Sequence, residues 1–326
     1  MGSGAVSLCP EFLGAKTMND LFDLWEKPTS ASTMIAGWYQ WADAGEVSSG
    51  LPQYLIDITE AEQIGEIIPH GYYLFQFPGT HDLLRPVVTL DQGYRIALED
   101  RRNAFYVSKN GARQFLIFIG DEPHMNVEQY STAFLDAVQS LGVNRVAIVA
   151  GVNGPMPYDK DREISCVYSL PDMKEEMEGY AVRLSDYEGG ATIGVYLADR
   201  AEERGIELVS FYAMVPAYDF SRASSTVQRV SAEEDFKAWY DLMRRLDYMF
   251  GLDLDLSDLE ERSAELVAAW DARIAQLKGK MPGVVESYME EVNEEFSEQP
   301  FDPLGQAWED ALGDIFDDAE ETSLSS

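Results

Sequence analysis

The chain is predicted to be an α/β protein, a three-layer α/β/α arrangement around a mixed, mainly parallel sheet, with a helical C-terminal extension. Three observations predict it. Two apolar runs, 115–119 and 146–149, lack polar alternation, the pattern of strands covered on both faces. Between them Val127–Leu141 carries Tyr130, Phe134, Leu135, Val138 and Leu141 at helical spacing and stops at Gly142. Strand, helix, strand with short loops makes a parallel βαβ unit. Earlier in the chain, the strand 33–37 ends at Gly37 and leads through the turn Asp43-Ala44-Gly45 into a helical run with Leu51, Tyr54, Leu55 and Ile56.

The other elements follow from the same periodicities. Strands are expected at 72–77, 87–90, 94–98, 104–107, 114–119, 145–150, 164–169, 181–184 and 208–214. The stretch 72–107 holds short strands and no helix, so antiparallel hairpin pairing is expected there. A helix over 190–204 should stop at Gly205. Past Pro216 the character changes. The stretches 232–250 and 256–278 each place aromatic and aliphatic residues on one stripe, which predicts helices packed on the sheet or on each other. The expected organisation is a disordered leader over 1–17, an α/β domain over 18–250 and an acidic helical extension over 251–326. Met18 is a candidate start. A last amphipathic piece carries Trp308, Leu312, Ile315 and Phe316 among acids.

Composition narrows the function classes. With 46% hydrophobic and 12% aromatic residues in 326, the chain can fill a globular core. Its net charge of −34 argues against nucleic acid or an anionic membrane as partner, because phosphate contacts need clustered Lys and Arg. Half of that excess lies after Gly251, where 21 acidic residues meet 4 basic ones. Cys9 and Cys166 match no zinc spacing and fit a reducing cytoplasm, so a cytoplasmic location is expected. No apolar run approaches the roughly 20 residues of a membrane helix.

Loops after parallel strands gather along one edge of a sheet, the usual place for a ligand crevice. The candidates there are Gly37, Trp38, Asp43, Gly45, Gly120, Asp121, Glu122, His124, Asn153, Pro216 and Tyr218. The glycines also suit tight turns and the acids also suit helix caps. No Lys or Arg falls inside these motifs, so a bare phosphate is disfavoured, while amines, a cation or a protein's backbone donors fit better. Asp43 with Asp121 and Glu122 has the donor type for Mg²⁺, but no metal site and no catalytic set is assigned. His124 has the placement of a general base beside Glu122, or of a plain loop histidine. No phosphate loop, dinucleotide fingerprint or nucleophile elbow occurs, and no cofactor is expected. Cys166, in an apolar strand, reads as an inert core thiol.

Four segments carry a family resemblance. They are Gly37-Trp38 with Asp43-Ala-Gly45; Phe115-Leu-Ile-Phe-Ile-Gly-Asp-Glu-Pro123; Leu141-Gly-Val-Asn-Arg-Val-Ala-Ile-Val-Ala-Gly151; and Tyr187-Glu-Gly-Gly-Ala-Thr-Ile-Gly194 through Ala213-Met-Val-Pro-Ala-Tyr218. In this order the chain resembles the PAC2 (proteasome assembly chaperone 2-like) family, particularly its actinobacterial-type members, over roughly 30–260. It departs at Asp159-Lys-Asp-Arg-Glu163, at Gly190-Ala191 and in the acidity of its last segment. The resemblance implies a fold related to nucleoside phosphorylases and a homo-oligomer, for instance a trimer. It also implies a role like that of relatives that assemble proteasome α-rings. The leading expectation is a non-enzymatic protein-binding or assembly factor whose partner is a basic protein or itself. The rival is a small-molecule enzyme or binder, a carboxylate–amine ligase or a nucleoside-type hydrolase, using an acidic crevice.

Overall fold

Strand residues of alternate parity feed two separate cores, which is how one sheet comes to be covered on both faces. The computed structural model describes residues 17–301 apart from 19, 29, 40, 70, 77–84, 100, 112 and 222–228. The leader before residue 17 and the terminal piece with Trp308 lie outside the described residues.

The strands are β1 (Thr17–Met18), β2 (Phe22–Leu24), β3 (Thr33–Tyr39), β4 (Glu62–Ile67), β5 (Val87–Asp91), β6 (Tyr94–Glu99) and β7 (Asn103–Val107). They continue with β8 (Leu116–Asp121), β9 (Arg145–Gly154), β10 (Ile164–Tyr168), β11 (Arg183–Leu184), β12 (Glu207–Asp219) and β13 (Arg229–Ser231). The helices are α1 (Gly50–Ile58), α2 (Val127–Leu141), α3 (Lys174–Glu178), α4 (Ile193–Glu202), α5 (Phe236–Phe250), α6 (Ser257–Lys280) and α7 (Val284–Glu295).

The main sheet runs β1-β2-β4-β7-β8-β3-β9-β12-β10-β11, with β13 on β12. Its centre, β8-β3-β9-β12, is parallel, and β7 and β10 flank that centre antiparallel. Ile35, Ile117, Ile119, Val149 and Phe211 enter the core under α1 and α5, whereas Met34, Ala36, Leu116, Phe118, Val146 and Leu208 enter the one under α2 and α4. This is the expected three-layer α/β/α architecture. The C-terminal helices form a third cluster, in which Trp270, Ile274 and Leu277 of α6 meet Val285 and Met289 of α7 and Tyr218 and Phe220 at the end of β12.

Some elements differ from expectation, each for a packing reason. The described part of 72–77 forms no strand; the Tyr72 carbonyl instead accepts the N–H groups of His124 and Met125, closing the loop before α2. The helix expected from 190 starts at Ile193, where Thr192 caps it by accepting the Val195 N–H. The last central strand runs past Met214 to Asp219, because β9 pairs as far as Pro216 and β13 takes over at Ala217. Pro216 and Tyr218 are therefore strand residues, not loop residues. The strands β2 and β4 carry no strong periodicity and were not expected, whereas α7 falls within the stretch where a helical extension was expected.

Two features position the surfaces that matter. Pairing of β3 with β9 ends at Ala36 with Ile148, after which the strands part at their carboxyl ends. Separately, β5 and β6 form a two-stranded sheet of their own.

Candidate functional site

The turn after β3 fills the split between β3 and β9. The Gly151 N–H donates to the Ala42 carbonyl at 2.9 Å, and Asp43 bridges to Gly151 in parallel. Asp43 Oδ1 accepts the N–H groups of both Ser48 and Ser49 at 2.9 Å, so it folds the turn back on itself. Burial pushes its carboxyl above the usual range, opposed by these serine donors. Gly45 takes φ 63°, the left-handed region open to glycine, and its carbonyl accepts Asp235 N–H at 2.9 Å and Trp239 Nε1–H at 3.0 Å. Gly37 lets α1 lie against β3, since a Cβ there would stand 1.8 Å from the Ser48 carbonyl oxygen. Trp38 is buried, donating its N–H to Ser48 Oγ at 2.8 Å and its Nε1–H to Tyr130 Oη at 2.7 Å.

The acids do not converge. Asp121 Oδ1 accepts from Arg101 Nη1 at 2.7 Å and Oδ2 from the Arg102 N–H at 2.8 Å, which ties it to the base of the β5–β6 hairpin. Gly120, before it, leaves room for the Phe118 ring and Asn103 Oδ1. Tyr218 Oη donates to the Met156 carbonyl at 2.8 Å, inside the third cluster, and Pro216 is buried in β12, so neither faces a crevice. The picture of an acidic crevice formed by Asp43, Asp121 and Glu122 is corrected accordingly: two of its three acids are spent on backbone and arginine contacts. Among the described residues no three His, Cys, Asp or Glu side chains gather as metal ligands. Cys166 is buried in β10, and burial raises its thiol to about 12.

His124 is also not placed as a base. Its Nδ1 accepts the Leu74 N–H at 3.1 Å, which leaves the proton of the neutral ring on Nε2, a donor. Burial lowers its pKa further, with Arg101 adding to the effect.

What remains is a cleft on the α4 side of the sheet, where β9 and β12 outrun the helix. It has a volume of about 650 Å³ and is lined by Trp41, Asn153, Tyr187, Gly190, Thr192 and Tyr212 among others. Trp41 is 73% exposed and Tyr187 74%. Thr192 Oγ1 and Tyr212 Oη share a hydrogen bond of 2.6 Å. Beneath lies a pocket of about 10 Å³, one water molecule's room, lined by Ser48, Glu122, Thr192, Ser210 and Tyr212. Glu122 and His124 also line the mouth beside Trp41. Of the expected residues, then, Trp38, Glu122, His124 and Asn153 reach this region. Trp41, Tyr187, Thr192, Ser210 and Tyr212 were missed as site residues, although Tyr187 and Thr192 stand inside the segments that carry the family resemblance and Trp41 stands between Gly37-Trp38 and Asp43.

Glu122 offers a direct electrostatic test. Burial raises its pKa above the ordinary 4.5, opposed by the N–H groups of Trp41 and Ile193. A raised folded-state value means that the ionised form is the costly one, so stability is gained as pH falls through that value toward 4.5. Glu122→Gln should therefore melt higher than wild type at pH 8, with the difference shrinking as the pH falls through the raised folded-state value toward 4.5. Parallel melting curves across pH check this, and a constant difference would contradict it.

The fold is a three-layer α/β arrangement with a cleft at the carboxyl edge of its sheet, and comparison with known proteins narrows the class. The PAC2 family profile matches residues 38–274, most of the chain; the protein belongs to the PAC2 family. No curated protein matches the chain. Among solved structures, a PAC2 family protein from Streptomyces avermitilis superposes with a TM-score of 0.63 at 25% identity, covering 78% of this chain and 98% of that one. A proteasome-assembly chaperone homologue from Mycobacterium tuberculosis gives 0.65 at 21% identity, covering 80% and 99%. An archaeal proteasome activator from Pyrococcus furiosus gives 0.54 at 18% identity, covering 77% and 97%. Among the described residues no helix is long and apolar enough to cross a membrane.

Proposed function

We propose that the protein is a non-enzymatic, protein-binding factor of the assembly-chaperone type, proteasome-related and working as a homo-oligomer. One observation carries the reading. In the β5–β6 hairpin the residues Val87, Val88, Leu90, Tyr94, Ile96 and Leu98 are all between 46% and 76% exposed. A lone two-stranded hairpin is marginal in water, and a contiguous apolar surface of this kind marks a protein interface. Arg95 lies on the hairpin and Arg85 and Arg102 at its base, beside a hollow of about 480 Å³.

The occupant that fits is a second copy of this chain. The strip is flanked by both signs of charge, Arg85, Arg95 and Arg102 with Asp91, so the same surface on a second copy can meet it apolar to apolar and arginine to acid. The names of the Mycobacterium and Pyrococcus structures support proteasome subunits as the further client. The spent acids and the donor tautomer of His124 weigh against the rival reading of a ligase or hydrolase.

Light scattering on the purified protein tests the self-association. Wild type should exceed the 36.5 kDa of one chain, and Leu90→Asp with Ile96→Asp should reduce it to that mass without lowering the melting temperature by more than a few degrees. A wild type that runs as a monomer would sink the second-copy assignment.

A further inference from the structure

We infer that the cleft at the carboxyl edge binds an uncharged aromatic ring that carries hydrogen-bonding groups on its rim. The walls decide the charge. In a chain of net charge −34, no charged side chain lines the cleft itself among the described residues. Glu122, at its mouth and in the pocket beneath, already has its carboxylate engaged by the Trp41 and Ile193 N–H groups. An ionic group entering it would lose its water without gaining a counter-charge, a costly exchange. Volume agrees, since about 650 Å³ falls within the range of small-molecule sites.

The aromatic side chains decide the shape. Trp41 and Tyr187 line the same cleft and are the two most exposed large side chains around it. The Trp41 indole N–H has no hydrogen-bond partner among the described residues, so both a ring face and a donor are on offer. Tyr187 lies against Gly189, where a Cβ would stand 2.1 Å from the tyrosine oxygen, so the missing side chain lets the ring settle along its own loop at the cleft wall.

The floor decides the polarity. Thr192 and Tyr212 belong both to the cleft and to the small pocket beneath it. In that pocket Ser210 Oγ is buried and lies within hydrogen-bonding reach of Tyr212 Oη. The Ser210, Tyr212 and Thr192 hydroxyls thus form a short chain that ends at the cleft floor. There it can exchange hydrogen bonds with an entering ring directly or through a water. Aromatic walls, a hydroxyl floor and no charged side chain in the walls together describe a site for a neutral ring with donors and acceptors at its edge. A nucleobase without phosphate and the phenol of a tyrosine side chain share that chemistry.

Titration of the full-length chain with uncharged nucleosides and with N-acetyl-tyrosinamide, followed by equilibrium dialysis, tests the site and separates the two sources. Saturable binding of one of them is expected. Binding should weaken about tenfold in Trp41→Ala and in Tyr187→Ala. It should be unchanged in Trp25→Ala, an exposed tryptophan that does not line the cleft. Adding a 5′-phosphate to a bound nucleoside, or replacing the amide of the tyrosine probe with a free carboxylate, should weaken binding at least tenfold. The substituted side chains are exposed, so unchanged melting temperatures without ligand confirm that the variants fold. The inference is overturned if neither neutral ring binds, if the charged analogue binds as tightly, or if both cleft variants bind like wild type. Hairpin and cleft are separate surfaces, so failure at one leaves the other standing.

Discussion

Asp235→Ala is expected to destabilise the chain by roughly 3–5 kcal/mol, the usual cost of leaving one member of a buried ion pair alone. Arg162 and Asp235 are both fully buried and meet through two bonds, Nε to Oδ2 at 2.9 Å and Nη2 to Oδ1 at 3.1 Å. Arg162 Nη1 donates to the carbonyls of Tyr158 and Lys160, so every side of the guanidinium is satisfied while the aspartate is present. Asp235 Oδ1 also caps α5 by accepting the Ala238 N–H, a role worth about 1 kcal/mol. The damage should reach the turn 43–45, because losing the cap loosens the start of α5, whose Asp235 N–H and Trp239 Nε1–H both hold the Gly45 carbonyl. Denaturant melts of Asp235→Ala, Arg162→Met and the double variant check the account. The double variant should lose much less than the two single losses added together, since it removes both charges. Additive losses would contradict a coupled pair.

Gly151→Ala is the second large effect. A Cβ there would stand 2.0 Å from the Ala44 carbonyl oxygen, a backbone atom that no rotamer change can move. The expected cost is about 3 kcal/mol, the upper end for overpacking, because the turn 42–45 must lift from β9. Gly37→Ala meets the Ser48 carbonyl oxygen at 1.8 Å and should behave alike. Gly190→Ala is the control. Nothing stands within 4 Å of its Cβ position and its φ lies outside the left-handed region, so its stability should stay within about 0.5 kcal/mol of wild type. Comparable losses at Gly151 and Gly190 would show that the clash is not the cause.

These residues also show what could be read from sequence. The runs at β8 and β9 were legible because strands buried on both faces must be apolar throughout, and α2 because one stripe faces the core. The strand β4 was not legible, since Glu62–Ile67 mixes acids, a glycine and aliphatics in no clean order. The turn at Asp43–Gly45 was found, but its meaning was not. Its carboxylate serves two serine amides and its glycine carbonyl serves α5, a partner about 190 positions away that no local pattern announces. Arg162 sits in the segment that departs from the family pattern, and only the fold shows that it is a buried partner of Asp235 rather than a surface charge. Acids seen side by side in loops suggested a shared crevice. The sheet instead sends Asp121 to the hairpin base and leaves Glu122 near the cleft, because neighbouring residues leaving a strand point to opposite faces.

The central claim is that this PAC2 protein works by binding protein, and native mass spectrometry after co-expression with the proteasome α subunits of its own host tests it most directly. The account predicts a defined complex containing both proteins, with this chain present as an oligomer, and loss of the oligomer when Leu90 and Ile96 are both replaced by Asp. Free α subunits beside a 36.5 kDa monomer of this chain would contradict it.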